Sequence, residues 1–307
     1  MDPSNSSDAL DSGSSAQSAQ DSGSKQGALW VILAMFMFVS MDACVKTLVH
    51  EHPSIQIVWA RYFFHVVLLA VVLAPRLRQV MKTQNLTLQL VRSALLLGTT
   101  TLFFTGLRYV PLVESTSMML LAPLLVTMLA VPVLKEKVGP RRWAGVIIGL
   151  VGALIIVRPG GEVMQAAIGF PLAAAFTYSV YQISTRMLSH ADSVLTTLFY
   201  TAVTGALVTS VWVPFEWVEP SPMAWLLMLV VGLAGGIGHF ALIKAFSVAE
   251  ASAVTPFTYS NMIWATAYGY FIYAELPDVW TVIGALTIAG SGLYVYHRER
   301  QSTSTTG

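Results

Sequence analysis

Charge and cysteine are what this sequence has least of. Asp, Glu, Lys and Arg supply 11% of its 307 residues, against roughly 25% in ordinary globular domains, too few to cover a water-facing surface. With 17 basic and 16 acidic residues, the chain has no charge excess aimed at nucleic acid. One cysteine, Cys44, excludes an internal disulfide and any CxxC redox or zinc pair; inside an apolar run it reads as a packing residue. Also missing are a Walker loop, which excludes ATP-driven pumping, and an HExxH zinc site. The glycines of GLVGALIIVRPGG, residues 149–161, lie in and after an apolar run without a strand-turn-helix setting, so they do not make a nucleotide fold. No cofactor, metal or catalytic residue is implied. An intramembrane enzyme built from scattered histidines and carboxylates is the remaining catalytic alternative.

What is abundant is apolar sequence of bilayer-crossing length. Residues 27–49, 56–74, 93–110, 112–133, 143–158, 166–187, 194–213, 223–245, 252–273 and 280–296 are ten such runs in a chain that is 55% hydrophobic. A soluble interior could not hold this much apolar surface, whereas lipid dissolves it. The sequence therefore predicts an all-α polytopic membrane protein with ten transmembrane helices. Its 14 prolines and 22 glycines then mean kinks and close helix contacts, which membrane helices tolerate.

Residues 1–26 are rich in Ser, Asp and Gln and are expected to be a disordered cytoplasmic tail; 297–307 is expected to be a second cytoplasmic tail, disordered over its terminal QSTSTTG. The first segment lacks the basic start of a secretory signal, so its apolar run is expected to stay as a helix. With a cytosolic N-terminus, the inner boundaries carry Arg76, Arg78, Lys82, Arg92, Lys135, Lys137, Arg141, Arg142, Arg186, Lys244, Arg298 and Arg300, and the outer ones Arg108 and Arg158. That asymmetry follows the positive-inside rule and puts both termini in the cytoplasm, with the bacterial inner membrane as the expected location. Asn5-Ser6-Ser7 and Asn85-Leu86-Thr87 are then chance matches to the glycosylation pattern.

Internal repetition is the second signal. GLRYVPLVEST at 106–116 recurs loosely as LIKAFSVAEAS at 242–252, aligning Arg108 with Lys244 and Glu114 with Glu250; Glu136 precedes Gly145 by the interval at which Glu275 precedes Gly284. Five helices per copy is an odd number, so the second copy enters the membrane from the opposite side. Inverted repeats supply two alternative packings with a cargo site near the midplane, the layout of a carrier. A channel would not need that symmetry.

The chain resembles the EamA family of the drug/metabolite transporter superfamily over about residues 27–296. The resemblance is strongest at 106–160, through Gly106, Tyr109, Pro111, Glu114, Pro123, Glu136, Gly145, Gly149, Gly152, Pro159 and Gly160. The second copy departs more, with Ala245 in place of the first copy's Tyr109. Membership would imply two five-helix units, 27–160 and 166–296, and export of amino acids or other metabolites, or import of cofactors such as riboflavin or S-adenosylmethionine.

Polar residues inside the apolar runs are the site candidates, because an unpaired charge at a span centre costs about 3 kcal/mol on insertion scales. Asp42 and Lys46 are four apart on one helix face and either neutralise each other or contact cargo or proton. Arg61 offers a rigid fork for a carboxylate or phosphate, the alternatives being a pair with Asp42 or a backbone carbonyl, or snorkelling. His65, one turn beyond, and His239 titrate near neutrality when unperturbed, and Asp42 and His239 are the proton-coupling candidates. Tyr178 and Tyr181 offer ring faces with polar tips, Trp264 another, and Asn261 an amide; each has a packing or anchoring role as its plainer reading. Glu114 and Glu250 suit helix N-termini, and Glu136 and Glu275 suit capping or gating at the far ends. The excess of Lys46 and Arg61 over Asp42 points to a solute with an anionic group, such as an amino acid, with riboflavin or a related cofactor second. The partners implied are a small metabolite and membrane lipid, with no nucleic acid; a monomer suffices mechanically and a dimer is compatible.

Overall fold

The computed structural model describes the backbone of residues 4–73, 77–135, 139–157, 164–188, 192–248 and 255–303. Among the described residues there is no strand. The helices are α1 (Ser4–Leu48), α2 (Ser54–Leu73), α3 (Leu77–Val80), α4 (Leu86–Gly106), α5 (Leu112–Met119), α6 (Ala122–Leu134) and α7 (Pro140–Val157). They continue as α8 (Met164–Ala167), α9 (Gly169–Leu188), α10 (Val194–Trp212), α11 (Pro222–Val248), α12 (Ser260–Tyr273) and α13 (Val279–Thr303). Among the described residues, six stretches are long and apolar enough to cross a membrane: Lys25–Leu48, Ser54–Val72, Leu86–Gly106, Leu112–Val133, Val194–Glu216 and Pro222–Leu242. The protein is an all-α, multi-pass membrane protein.

Local chemistry sets the helix ends. The Asn85 side chain accepts from the Leu88 N–H at 3.0 Å and caps α4, a structural use for the residue of the glycosylation match. Ser193 caps α10 through the Thr196 N–H at 3.1 Å, and Asp278 Oδ1 caps α13 through the Thr281 N–H at 2.8 Å. Each cap satisfies a donor that the helix itself cannot.

Several boundaries differ from the sequence reading. The third span starts at Leu86 rather than 93, so Gln89 and Arg92 lie inside α4. The fourth breaks at Leu120–Leu121 into α5 and α6, just before Pro123, whose missing N–H suits a helix start. In the ninth, α12 begins at Ser260 after a 3-10 turn over Thr255–Tyr259. The segment expected to be a disordered tail is helical from Ser4, continuous with the membrane span; extending a formed helix avoids a new nucleation step. Helix α13 likewise runs to Thr303. Glu136, Glu250, Arg158, Pro159 and Gly160 lie outside the described residues.

Helix pairing has a regularity that the sequence repeat anticipates. Helix α1 packs on α11 and α4 on α9; α2 packs on α11 and α4 on α10; α1 packs on α12 and α9 on α6; α2 meets α10, and α7 meets α13. Exchanging α1, α2, α4, α5/α6 and α7 with α9, α10, α11, α12 and α13 maps this set onto itself. Two local details agree. Helix α6 ends with Lys135 at φ 55° donating to the Ala130 carbonyl, and α12 ends with Ala274 at φ 54° donating to the Gly269 carbonyl, the same left-handed cap. The α7–α13 contact is close because both sides are glycine: a Cβ on Gly152 would come 2.8 Å from the Gly284 carbonyl oxygen, and one on Gly284 2.6 Å from that of Gly152.

Candidate binding site

Glycines in α11 bring α1 and α2 against its backbone, and with them the buried polar residues. A Cβ on Gly232 would overlap Phe64 and lie 3.3 Å from the carbonyl oxygens of Ala60 and Arg61; one on Gly235 would meet Met41 at 3.2 Å and Arg61 Nε at 3.5 Å. The run GLAGGIG, residues 232–238, thus makes room for the Arg61 stem inside the bundle.

Arg61 is buried. Its Nη1 donates to Thr100 Oγ1 at 2.6 Å and its Nη2 lies 3.4 Å from His239 Nε2. The guanidinium sits 5.0 Å from the Tyr62 ring centre and 6.0 Å from that of Phe104, while Nε is buried without a hydrogen-bond partner. His65 is also buried and stacks on His239, with ring centres 6.3 Å apart and planes 4° apart. Phe38 packs edge-on against His239, with ring centres 5.0 Å apart. One turn along α1 from Phe38, Asp42 is buried within electrostatic reach of Arg61, and its Oδ1 has no hydrogen-bond partner. The structure therefore brings Arg61, His65, His239 and Asp42 together.

Tyr178 and Tyr181 stack on each other, 5.5 Å apart and 18° off parallel. Both feel the charges of Arg61 and of Arg92, a residue the charge pattern assigned to an inner loop. That assignment is corrected: Arg92 is 2% exposed within α4. It donates from Nε to Thr185 Oγ1 at 2.6 Å, from Nη1 to Thr201 Oγ1 at 2.7 Å and the Thr197 carbonyl at 3.3 Å, and from Nη2 to Tyr181 Oη at 2.6 Å. The signal that could have found it was the helical run that begins at a capping Asn85. One turn earlier, Gln89 Nε2 donates to Asp192 Oδ2 at 2.8 Å.

Asp192 ends this polar ladder beside a recess of about 440 Å³ lined by Gln79, Lys82, Thr83, Gln84 and Thr196. Partial burial would raise its carboxyl, but hydrogen bonds from the Thr83 hydroxyl, the Gln84 N–H and Gln89 outweigh that and hold it below the ordinary aspartate range.

Lys46 does not join the Arg61 group, and it does not pair with Asp42. Its Nζ lies 3.0 Å from Glu275 Oε1 and donates to the Val110 carbonyl at 3.4 Å. Residues 42 and 46 share a face, but the lysine stem reaches beyond the helix end to a carboxylate that chain folding delivers there. Asn261 and Trp264 lie on α12, with Trp264 edge-on to Phe36 at 5.1 Å. Asn261 Oδ1 and Trp264 Nε1 are both buried and unpartnered. Orphaned polar atoms of this kind cost about 1–3 kcal/mol each; with Asp42 Oδ1 on α1 and Arg61 Nε on α2 they mark hydrogen-bonding capacity that packing alone does not use.

Comparison with known proteins is consistent with this architecture. The model of the EamA-like transporter family matches residues 25–158 and again 165–296. The chain is 28% identical over 278 residues to the S-adenosylmethionine uptake transporter of Rickettsia prowazekii (strain Madrid E), covering 91% of this chain and 95% of that one. It is 28% identical over 290 residues to the riboflavin transporter of Vibrio cholerae serotype O1, at 91% and 95% coverage. It is 26% identical over 271 residues to the pseudopaline exporter CntI of Pseudomonas aeruginosa (strain UCBPP-PA14), at 86% and 93%. A solved crystal structure with 19% identity superposes with a TM-score of 0.64, covering 90% of this chain and 98% of that one, so the two share a fold.

Proposed function

We propose a carrier mechanism for this chain, which belongs to the EamA-like transporter family: secondary transport of a small organic metabolite through one interior site exposed alternately to the two sides. In this reading ten membrane helices form two inverted five-helix repeats, both termini are cytoplasmic, and the membrane is a bacterial inner membrane. The exchange of helix pairings between the two halves supports it, because two equivalent sets of contacts are what a rocking motion between two packings needs.

The observation that carries the site is Arg61, a buried guanidinium whose Nε has no hydrogen-bond partner and which contacts Thr100 and His239, with the buried Asp42 within electrostatic range. A rigid fork with spare donors suits a carboxylate, so the cargo is an amino acid or related amphipathic solute with an anionic group. Tyr178 and Tyr181 receive its apolar or ring-bearing part, His65 stands behind His239, and Asn261 and Trp264 offer further polar atoms. Asp42 and His239 are the groups placed to carry a coupling proton. The relatives named for S-adenosylmethionine and riboflavin favour a second reading, import of a cofactor. No chemistry is assigned to the site, which sets this reading apart from an intramembrane enzyme.

Thermal-shift screening of the purified protein against amino acids, vitamins and nucleoside cofactors, followed by radiolabelled flux into proteoliposomes, tests the proposal. Saturable flux that falls at least tenfold in Arg61→Ala, with folding intact, is the expected result. Flux unchanged in that variant removes Arg61 from the site, and chemical turnover in place of flux replaces the carrier reading with the enzyme one.

A further inference from the structure

Arg92 has no carboxylate among its hydrogen-bond partners. Its four contacts are to two hydroxyls of threonines, one tyrosine hydroxyl and one backbone carbonyl, and its guanidinium lies 4.4 Å from the Tyr181 ring centre. Neutral oxygens and a ring face solvate a cation without cancelling its charge. Arg61 and Arg92 both act electrostatically on Tyr178, Tyr181 and His239, whereas Asp42 answers Arg61. Among the described residues, two positive charges thus bear on a group to which Asp42 brings one negative charge, in surroundings where uncompensated charge is costly.

Of the five N–H donors of an arginine, the four contacts leave Arg92 at most one, so it is not built to chelate cargo directly. It works through Tyr181. Accepting from Arg92 occupies an oxygen lone pair of the tyrosine and polarises its O–H as a donor, since hydrogen bonds in a chain strengthen one another. Stacking passes the placement of Tyr181 on to Tyr178. The link to Thr185 on the same helix, and to Thr197 and Thr201 on α10, holds the guanidinium where α4, α9 and α10 meet.

We propose that Arg92 is a positioning and charge-selecting residue of the interior site: by fixing the Tyr178–Tyr181 pair under an uncancelled positive charge, it makes the site prefer a ring-bearing solute with an anionic group over the same ring without one. The inference rests on the carrier reading above and narrows its cargo class. It also places cationic solutes at a disadvantage, because they would enter an interior already in positive excess.

A matched pair of probes isolates the charge: riboflavin and riboflavin 5′-phosphate share the ring system and differ by a phosphate. Binding of each to the full-length protein in detergent is measured by titration for the wild type, Arg92→Lys and Arg92→Gln. The wild type is expected to bind the phosphate at least tenfold more tightly. Arg92→Lys, which keeps the charge, should retain most of that ratio, and Arg92→Gln should bring it below threefold. A residue that merely held helices together would weaken both probes alike and leave the ratio intact, which would overturn the proposal. So would a wild type that binds neither probe, or binds both equally. If Arg92→Gln does not fold, Tyr181→Phe takes its place: it keeps the ring but removes the oxygen that Arg92 holds, and the ratio should fall at least threefold; an unchanged ratio overturns the proposal. Proteoliposome flux of any solute decides the carrier reading separately, so the two can fail independently.

Discussion

Lys46 on α1 and Glu275 in the α12–α13 connection form a 3.0 Å ion pair that ties the first helix of one repeat to the last connection of the other. The lysine is almost fully buried, and the glutamate side chain is 31% exposed. Glu114 and Asp278 also belong to this electrostatic group: Glu114 feels like charge from Asp278 and Glu275 and opposite charge from Lys46. Tyr273 closes the cluster, its hydroxyl bonded to Thr47 and to the Ala43 carbonyl. Lys46 thus pairs with Glu275 and acts on Glu114 where the first helix of one repeat meets the last connection of the other.

The two partners are therefore unequal. Glu275→Gln removes one negative charge and leaves Lys46 facing Glu114, whereas Lys46→Met leaves the carboxylates to repel one another. Thermal unfolding in detergent should show a loss of about 1–3 kcal/mol for Lys46→Met, as for charged hydrogen bonds, and a smaller loss for Glu275→Gln. Equal losses would mean that Glu114 and Asp278 take no part in the cluster.

At Gly232 the Arg61 helix packs tightly against α11. A methyl group there would overlap Phe64 and press on two carbonyl oxygens of α2, and overpacking of this kind costs about 1–3 kcal/mol. Gly232→Ala should lower the unfolding temperature, and any cargo affinity that depends on Arg61 should fall with it. Gly98, beside which a Cβ would meet nothing within 4 Å, is the control for an added methyl group in an interior helix.

Asp192 should give acid stability a specific dependence. Its folded carboxyl titrates below the ordinary aspartate value of 3.8, so its stabilisation is full above that value and is lost as pH falls through the lower, folded one. Asp192→Asn should lower stability at neutral pH by about 1–2 kcal/mol, because the carboxylate accepts from three donors. The difference from wild type should shrink below pH 4, as followed by unfolding across a pH series. A difference that stays constant down to pH 3 would show that these bonds do not depend on the charge.

Ala274 holds a left-handed conformation, φ 54°, that alanine adopts only at a cost. Relief of about 1–2 kcal/mol, less the roughly 0.4–1 kcal/mol of extra unfolded-state freedom that glycine brings, makes Ala274→Gly a stabilising change of at most about 1.6 kcal/mol. Thermal unfolding of the single variant checks the sign.

Much of this molecule could be read from one dimension. Each of the ten apolar runs falls mostly on helix over its described residues, and six of them lie in stretches long and apolar enough to cross a membrane, because the bilayer requires backbone hydrogen bonds to be made within the segment and apolar length shows where that can happen. The repeat was legible too, since Glu275 follows a left-handed cap whose counterpart sits at Lys135. Membership in a transporter family followed from the motif at 106–160, and two matches of the family model bear it out.

Which charges share a space was decided only by the tertiary structure. Spacing on one helix made Asp42 the natural partner of Lys46, yet a lysine reaches several ångströms from its own backbone and took Glu275, 229 positions away in the sequence. Loop-like basic character placed Arg92 at a membrane boundary, yet an earlier helix start carried it inside, where hydroxyls from α9 and α10 surround it. Periodicity reports which face of a helix avoids water, a property of one segment at a time. The partners of a buried charge come from other segments, and their positions follow from how α1, α2, α4, α9 and α11 pack, for which the local sequence carries no code.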